Sequence, residues 1–174
     1  MFVRRLSTIS SNITSHNTVS ALSVFKNSCY HKIDFKINQD NTANNAVKRF
    51  AAFNIGCLAV TDNNNNIVGV LSQRDYINKV AALGKNDSHI KVKEICAHVP
   101  NIIIARKNDS IEQCMNKMLF KDIRHLLVID ETNNEFVGMI SIKDLIKEIM
   151  KDKNDIITRL TDFNIGKGAF FGSE

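Results

Sequence analysis

The sequence has no long apolar run. No stretch of its 174 residues approaches the roughly 20 consecutive apolar residues that a membrane-spanning helix needs. Hydrophobic residues make up 44% of the chain and charged residues 24%, which is the balance of a soluble globular protein. The length suits one ordinary domain or two half-domains that share a core. We therefore expect one compact unit without a membrane span.

A basic cluster is also missing, although the formal net charge is +5. Residues 1–30 hold three basic and no acidic residues, so the rest of the chain has 20 basic and 18 acidic residues, a net charge of +2. A nucleic-acid-binding surface needs a stripe of Lys and Arg, and here these residues are scattered among acids. This distribution argues against nucleic acid as a partner.

Motifs for metal binding and catalysis are absent too. The four cysteines form no Cys-x-x-Cys pair and do not group with the five histidines, so no zinc site is predicted. The sequence has no Gly-x-Ser-x-Gly, no His-Glu-x-x-His and no dinucleotide fingerprint. We expect a protein that is not an enzyme and that requires no metal.

The first 30 residues differ from the rest in composition. They contain ten Ser or Thr, two early arginines and no Asp or Glu, and Phe2, Leu6, Ile9 and Ile13 recur at spacings of three and four. A basic amphipathic helix of this kind is typical of a mitochondrial transit peptide, which predicts import into the mitochondrial matrix. The alternative is a Ser-rich disordered tail.

The remainder of the chain repeats itself. Residues 41–80 align with residues 109–149 at an offset of 68, which becomes 69 after one extra residue in the turn of the second copy. Each copy predicts a helix, a strand, a polar turn, a strand and a second helix. Outside the Asn-rich turn residues 63–66 and 131–135, nine positions are identical between the copies: Ile55 and Ile123, Leu58 and Leu126, Val60 and Val128, Asp62 and Asp130, Val68 and Val137, Gly69 and Gly138, Ser72 and Ser141, Asp75 and Asp144, and Ile77 and Ile146.

These patterns predict an α/β (α+β) fold of two β-α-β-β-α units, packed with pseudo-two-fold symmetry. The predicted first helices are 42–53 and 110–121, the paired strands are 56–61, 67–71, 125–129 and 136–140, and short preceding strands are 32–37 and 102–106. We divide the chain into a transit or disordered segment (1–30), repeat 1 (31–87), a linker (88–98), repeat 2 (99–152), and a helix end with a flexible tail (153–174). No helix is evident ahead of the first unit, between Ser23 and His31.

Both copies contain a Gly-x-x-Ser-x-x-Asp motif, which ends at Asp75 in the first and at Asp144 in the second. The motif puts a hydroxyl at a strand end and a carboxylate in the first turn of the next helix. Backbone N–H groups and the hydroxyl can hold a phosphate there, the carboxylate can accept both hydroxyls of a ribose, and the glycine would keep the approach to the cleft open. The alternative is a capping box, in which Ser and Asp only satisfy the N–H donors of the helix.

With these motifs in this order, the chain resembles the tandem CBS-domain pair, or Bateman-type module, over about residues 31–150. The most specific segments are 68–75 and 137–144, and residues 73–84 are similar to the same tract in stand-alone mitochondrial CBS-pair proteins of plants. The resemblance implies a regulatory adenosyl ligand, with AMP expected first and ADP, ATP, NAD(H) and S-adenosylmethionine as alternatives. It also implies a homodimer and a regulated partner protein, for which the family suggests a thioredoxin-type protein.

Site residues carried over from the family fall on both copies. The resemblance implies that Asp75 and Asp144 bind ribose and that Ser72 and Ser141 lie on the phosphate side. The strand before each unit is expected to contact adenine, through Ile102, Ile103 and Ala105 in the second unit and Ile33 and Phe35 in the first. The expected phosphate partners are Arg124, His125 and Lys143 in the second copy and Arg74 in the first.

The two predicted sites differ in charge. The first copy has Gly56-Cys57 where the second has Arg124-His125. We therefore expect the second site to prefer a phosphorylated ligand, while the first takes a nucleoside-like ligand or stays empty.

Two functions remain open from the sequence. One is a regulatory module, in which a ligand between the repeats changes their relative position and thereby the activity of a partner. The other is a scaffold or dimerisation protein that has kept the fold and lost the ligand sites. A dimer face is predicted on the last helix, at Leu145, Ile146, Ile149 and Met150.

Overall fold

Each sequence repeat forms a small sheet of its own in a computed structural model that describes residues 19–164. In both sheets a short strand runs parallel to the first strand of an antiparallel hairpin. The first sheet has the order β1 (Lys36–Asn38), β2 (Cys57–Thr61), β3 (Ile67–Ser72) and β4 (Ala97–His98). The second has the order β5 (Ile104–Arg106), β6 (His125–Asp130) and β7 (Glu135–Ser141).

Six α-helices accompany the sheets in the described part of the chain. They are α1 (Ala21–Asn27), α2 (Ala43–Phe53), α3 (Gln73–Lys79), α4 (Val92–Ile95), α5 (Ile111–Phe120) and α6 (Ile142–Asn164). Helices α2 and α5 begin where the sequence predicts, because the side chains of Thr42 and Ser110 accept hydrogen bonds from N–H groups of the first turn. The order of elements confirms the predicted mixed fold of two β-α-β-β-α units.

The two hairpins share their irregularities. Each register shifts at the same place, between Val60 and Thr61 in the first and between Val128 and Ile129 in the second. The polar turns that follow contain an asparagine with positive φ, 68° at Asn65 and 58° at Asn134, as expected for a residue type that tolerates the left-handed region. The same local sequence has therefore produced the same local structure twice.

The second sheet is buried on both faces. Leu126, Val128 and Ile140 point into a core formed with α1 and α5, while Leu127 and Met139 on the opposite face join the core of the first repeat. Successive strand residues point to opposite faces, so a continuous apolar strand is required here. The two repeats thus share one packed interior.

Each repeat is completed by a helix that precedes the other repeat. Ala21 and Val24 of α1 are buried in the core of the second repeat, whereas Val92 and Ile95 of α4 are buried in the core of the first. The prediction that no helix lies ahead of the first unit is therefore wrong. Ser20 caps α1 through a capping box with Ser23, but a helix of seven residues in a Ser-rich stretch shows too little periodicity to be found from sequence.

The repeated glycines lie beneath these crossing segments. A Cβ atom at Gly69 would come within 2.8 Å of the Ala97 carbonyl oxygen, and one at Gly138 would overlap the Phe25 ring of α1. The expectation that these glycines open the approach to a ligand cleft is wrong. They are needed because a neighbouring segment packs directly on the hairpin backbone.

Helix α6 extends well beyond the body of the protein. Asp144, Leu145 and Glu148 in its first turns are buried, and every side chain from residue 151 to residue 161 is exposed. Leu145 is fully buried, so it belongs to the core and not to the predicted dimer face, whereas Ile146 and Met150 are about half exposed. Among residues 19–164, no helix is both long and apolar enough to span a membrane.

Candidate ligand-binding site

The two Ser-x-x-Asp motifs form the same hydrogen-bonded cap. At the start of α3, Ser72 Oγ accepts from the Asp75 backbone N–H at 3.2 Å and Asp75 Oδ2 accepts from the Ser72 backbone N–H at 3.0 Å. The corresponding distances at Ser141 and Asp144 are 3.3 and 2.9 Å. Both motifs are therefore capping boxes, which is the alternative to ligand contact that the sequence left open. Each cap uses only Oδ2, which leaves the Oδ1 atom of each aspartate for another partner.

Each motif lines a cleft between the repeats. The Asp75 cleft has a volume of about 250 Å³ and the Asp144 cleft one of about 260 Å³. Arg124, His125 and Met139 line both clefts, so the two lie side by side.

The clefts combine residues from both repeats. The Asp75 cleft is lined by Ser72, Arg74 and Asp75 of the first repeat together with Asn101, Ile102, Ile103, Asp122 and Ile123 of the second. The Asp144 cleft is lined by Ser141, Lys143 and Asp144 of the second repeat together with Tyr30, Phe35, Asn54, Ile55 and Gly56 from before and within the first. The assignment of the strand before each unit to the site of that same unit is therefore wrong, whereas the predicted phosphate partners of the second copy do line the Asp144 cleft.

Two of the residues expected to contact adenine lie elsewhere. Ala105 is fully buried, pairs with Val128 in the second sheet and lines neither cleft. Ile33 packs against the core of the first repeat. The other expected contacts, Ile102, Ile103 and Phe35, do lie at the clefts, each opposite the motif of the other repeat.

The remaining oxygen of Asp144 is already occupied. Ser28, the C-cap residue that follows α1, donates a hydrogen bond from its Oγ to Asp144 Oδ1 at 2.9 Å. The side chain of the preceding residue, Asn27, donates to Glu148 Oε1 at 2.9 Å. Ser28 and Asp144 are only 6% and 7% exposed. A ribose can therefore reach both oxygens of Asp144 only if the end of α1 moves away.

Asp75 is more accessible. Its side chain is 25% exposed, and its Oδ1 lies 3.2 Å from the Lys79 ammonium group one helical turn later. Lys79 also donates to the Ile95 carbonyl oxygen at 2.6 Å, so this ammonium group already has a second partner. An ion pair with this much exposure is weak in water, and a ligand hydroxyl can compete for Oδ1.

Two arginines supply positive charge at the Asp75 cleft. Arg74 is 52% exposed and forms an ion pair with the 90% exposed Asp122 at 3.1 Å, while Arg124 lies on the wall that both clefts share. An exposed pair of this kind contributes little to stability, so Arg74 can exchange Asp122 for a phosphate. Because Arg124 belongs to both linings, each cleft has two basic side chains, and the expected contrast between the sites does not appear in their number. The acidic Asp122 lines only the Asp75 cleft, so the Asp144 cleft keeps the more positive lining.

His125 is neutral at physiological pH. Burial disfavours the imidazolium, and the adjacent Arg124 guanidinium disfavours it further, so the pKa of His125 falls to about 4 although Asp144 partly opposes the shift. The imidazole lies against Gly56, where a Cβ would come within 2.9 Å of His125 Cε1. His125 can therefore give a phosphate a hydrogen bond but not a charge. Gly56, which aligns with Arg124 of the second copy, has a packing reason to be glycine, because the His125 imidazole lies directly on it.

Several cleft residues carry no sequence signal. Tyr30, Asn101 and Asp122 lie in loops or turns, and no motif marks them. Tyr30 and Asn101 reach the clefts because the segment before each unit crosses to the other repeat, and Asp122 lines its cleft from the turn between α5 and β6. In the described chain, from residue 19 to residue 164, no group of three or more His, Cys, Asp or Glu could hold a metal ion.

Comparison with known proteins agrees with this architecture. A family model described as "CBS domain" matches residues 32–82 and 92–151. The chain is 26% identical over 126 residues to the CBS domain-containing protein CBSX3, mitochondrial, of Arabidopsis thaliana. The match covers 71% of this chain and 60% of that protein, so the chain spans less than two thirds of its relative's length.

Two solved structures are informative. A putative signal-transduction protein with CBS domains from Burkholderia ambifaria superposes with a TM-score of 0.69 at 26% identity, covering 76% of this chain and 95% of the other. A CBS domain protein from Pyrobaculum aerophilum, solved as a complex with AMP, superposes with a TM-score of 0.57 at 25% identity, covering 63% and 80%. These matches confirm the resemblance found in the sequence and the tandem fold.

Proposed function

Because the chain belongs to the CBS-domain family, we propose that it is a regulatory module that binds an adenosyl ligand in the Asp75 cleft and thereby modulates a partner protein. The observation that carries the choice of cleft is the difference between the two aspartates. Asp75 Oδ1 faces the half-exposed Lys79, whereas Asp144 Oδ1 is buried against Ser28. The AMP complex of the Pyrobaculum relative supports the ligand class, with AMP as the first candidate.

The arrangement suits the three parts of a nucleotide. Ile102 and Ile103 lie just before β5, where they offer backbone groups and apolar side chains to adenine. Asp75 Oδ1 accepts from the ribose hydroxyls, and the guanidinium groups of Arg74 and Arg124 bind the phosphate with charge-assisted hydrogen bonds. The Asp144 cleft, with Ser141 and Lys143, would remain a second site that opens only when Ser28 is displaced.

Binding at this position can be converted into a signal. The ligand would contact Ser72 and Asp75 on the first repeat and Ile102 and Arg124 on the second. It can therefore favour one relative position of the repeats over another, which is the requirement for a ligand to shift a conformational equilibrium. The regulated partner would read that position, and a thioredoxin-type protein remains our proposed partner on family resemblance alone.

We propose binding rather than catalysis for the cleft residues. The hydroxyl groups of Ser72 and Ser141 already donate hydrogen bonds to the carboxylates of Asp75 and Asp144 in their capping boxes. His125 is the histidine that lines the clefts, and no hydrogen bond joins it to either serine. A nucleophile needs a base within hydrogen-bond reach, so these serines are poorly arranged for that role.

A titration of the full-length chain tests the proposal. Calorimetry with AMP, ATP, NADH and S-adenosylmethionine should give saturable binding of at least one ligand at one site per chain. Asp75→Asn keeps an oxygen for the helix cap but loses the charge, and we expect it to weaken binding at least tenfold, or about 1.4 kcal/mol. The matched variant Asp144→Asn should leave this affinity within about twofold. No heat and no thermal shift with any of the four ligands would favour the alternative, a ligand-free scaffold.

Mitochondrial import is part of the proposal. It is supported by the composition of residues 1–30 and by the mitochondrial name of the Arabidopsis relative. The predicted amphipathic helix of Phe2 to Ile13 lies outside the described residues. We place the cleavage before Val19, because Val19 packs against the core and its carbonyl oxygen accepts a hydrogen bond from the Ile111 N–H. A reporter carrying residues 1–18 should enter mitochondria, and one that stays in the cytosol would contradict the import proposal.

We also propose that the protein is a homodimer. The support is the half-exposed Ile146 and Met150 on the outer face of α6, which extend the apolar surface of a helix that already packs on the body. Sedimentation of the full-length chain between 1 and about 100 µM would reveal the association.

A further inference from the structure

The outer part of α6 has an apolar surface with no neighbour in the described structure. Ile156, Ile157 and Leu160 are 57%, 60% and 59% exposed, and all side chains from residue 151 to residue 161 lie in solvent. A helical segment without tertiary contacts is only marginally stable in water, and its stability in proteins comes from packing one apolar face. This face therefore requires a partner.

The spacing of the residues is that of a helix that packs along another helix. Ile149, Lys153, Ile156 and Leu160 recur at intervals of four, three and four, which places them on one stripe. We call these four residues the α6 stripe. Met150 and Ile157 lie along one edge of the stripe, and Asp152 and Arg159 lie along the other.

We propose that the α6 stripe pairs in antiparallel orientation with the same stripe of a second copy of this chain. The inference rests on the proposed homodimer and specifies its contact. Ile149 of one copy would face Leu160 of the other, and Lys153 would face Ile156 of the other. A two-fold axis would cross the helix pair between residues 154 and 155.

Charge complementarity selects the second copy as occupant. In this register Asp152 of each copy lies opposite Arg159 of the other, so the symmetric pair contains two ion pairs of opposite charge. Met150 lies opposite Ile157 on the other edge, which buries two further apolar side chains from each copy. Neither Asp152 nor Arg159 has an ion-pair partner among residues 19–161, whose side chains the structure describes.

The parallel orientation is disfavoured by the same residues. It would place Lys153 against Lys153 at the centre of the contact, with two like charges in one layer. It would also place Asp152 beside Ile157 of the other copy instead of beside Arg159. Only the antiparallel register satisfies both the apolar and the charged positions.

Charge exchange tests this register in the full-length chain. Asp152→Arg and Arg159→Asp should each weaken dimerisation at least tenfold in sedimentation equilibrium, because each creates two like-charge contacts per dimer. The double variant Asp152→Arg/Arg159→Asp should recover the affinity of the original chain. Asp155→Arg makes the same change in charge on the opposite side of α6 and should leave the dimer intact.

Cross-linking tests the orientation independently. In a Cys29→Ser background, Leu160→Cys should not form a disulfide with itself, since antiparallel pairing separates the two positions by about 16 Å along the axis. An equal mixture of Ile149→Cys and Leu160→Cys chains should cross-link. Self-linking of Leu160→Cys would overturn the proposal in favour of a parallel pair.

The possible failures are distinguishable. A dimer that is indifferent to both charge reversals would overturn the α6 pairing but keep the proposed homodimer, which would then use another surface. A monomer at about 100 µM would overturn both.

Discussion

Ser28 and Asp144 are separated by 116 residues in sequence and are joined by a buried hydrogen bond of 2.9 Å. The bond places the end of α1 on the carboxylate that the sequence nominates as a ribose ligand. The equivalent carboxylate, Asp75, faces Lys79 at the cleft surface instead. Two motifs with the same local geometry therefore differ in the accessibility of their aspartate. The difference comes from the end of α1, which lies outside the sequence repeat.

Removing this hydrogen bond should release the second site. In Ser28→Ala, Asp144 Oδ1 loses its protein partner, and we expect the number of adenosyl ligands bound per chain to rise from one to two. The lost bond should lower the free energy of unfolding by about 1 kcal/mol in the absence of ligand. Calorimetric titration gives the stoichiometry, and urea unfolding gives the stability.

A neighbouring variant provides the control. Asn27→Ala removes the hydrogen bond to Glu148 and leaves Ser28 in place. It should lower stability by a similar amount without changing the stoichiometry. A stoichiometry of one in Ser28→Ala, with unchanged affinity, would show that Asp144 is blocked by more than this bond.

The contact between Gly138 and Phe25 should be sensitive to one added methyl group. Gly138→Ala would drive the new Cβ into the Phe25 ring, and overpacking of this kind costs about 1–3 kcal/mol. Since Phe25 belongs to α1, the variant should also loosen the Ser28 contact. Thermal unfolding measures the loss of stability caused by overpacking. Adding Phe25→Leu should recover part of the loss, and a double variant no more stable than Gly138→Ala would contradict the steric explanation.

Much of the fold was predictable because its signals are local. Thr42 and Ser110 cap their helices through N–H groups three residues later, and the turn residues Asn65 and Asn134 adopt the positive φ that their side chains tolerate. Duplication strengthened these signals, since each pattern was seen twice.

The grouping of the site was not predictable in the same way. Ile102 lies with Asp75, and Phe35 lies with Asp144, because the segment before each unit crosses to the opposite repeat. No short-range pattern encodes a crossing of this kind. Leu145 illustrates the same limit, because helical periodicity identified an apolar face but could not say whether the core or a second copy covers it.

Thiol reactivity should distinguish the four cysteines. Cys57, Cys96 and Cys114 are buried and Cys29 is exposed. Burial raises the pKa of the Cys57 thiol to about 12 and that of Cys114 to about 11, so almost no thiolate forms at pH 8. A chromogenic disulfide reagent should therefore label one thiol per native chain rapidly and all four in guanidinium chloride. Cys29→Ser should abolish the rapid phase, and its persistence would show that the interior opens readily.

Acid should destabilise the protein partly through His125. The pKa of His125 is about 4 in the folded chain and near 6.5 when unfolded, so between these values the unfolded state binds more protons. Stability from this residue is therefore fully present above about pH 6.5 and is lost as the pH falls toward 4, by on the order of 2–3 kcal/mol. Urea unfolding at intervals between pH 7 and pH 4.5 measures the slope. The His125→Gln side chain stays neutral throughout, so the stability of this variant should fall less steeply with pH over this range. The pKa of Asp130 is lowered to about 2, so this residue contributes to the pH dependence mainly below pH 4.5. Equal slopes for the two proteins would mean that the folded chain accommodates the charged imidazole.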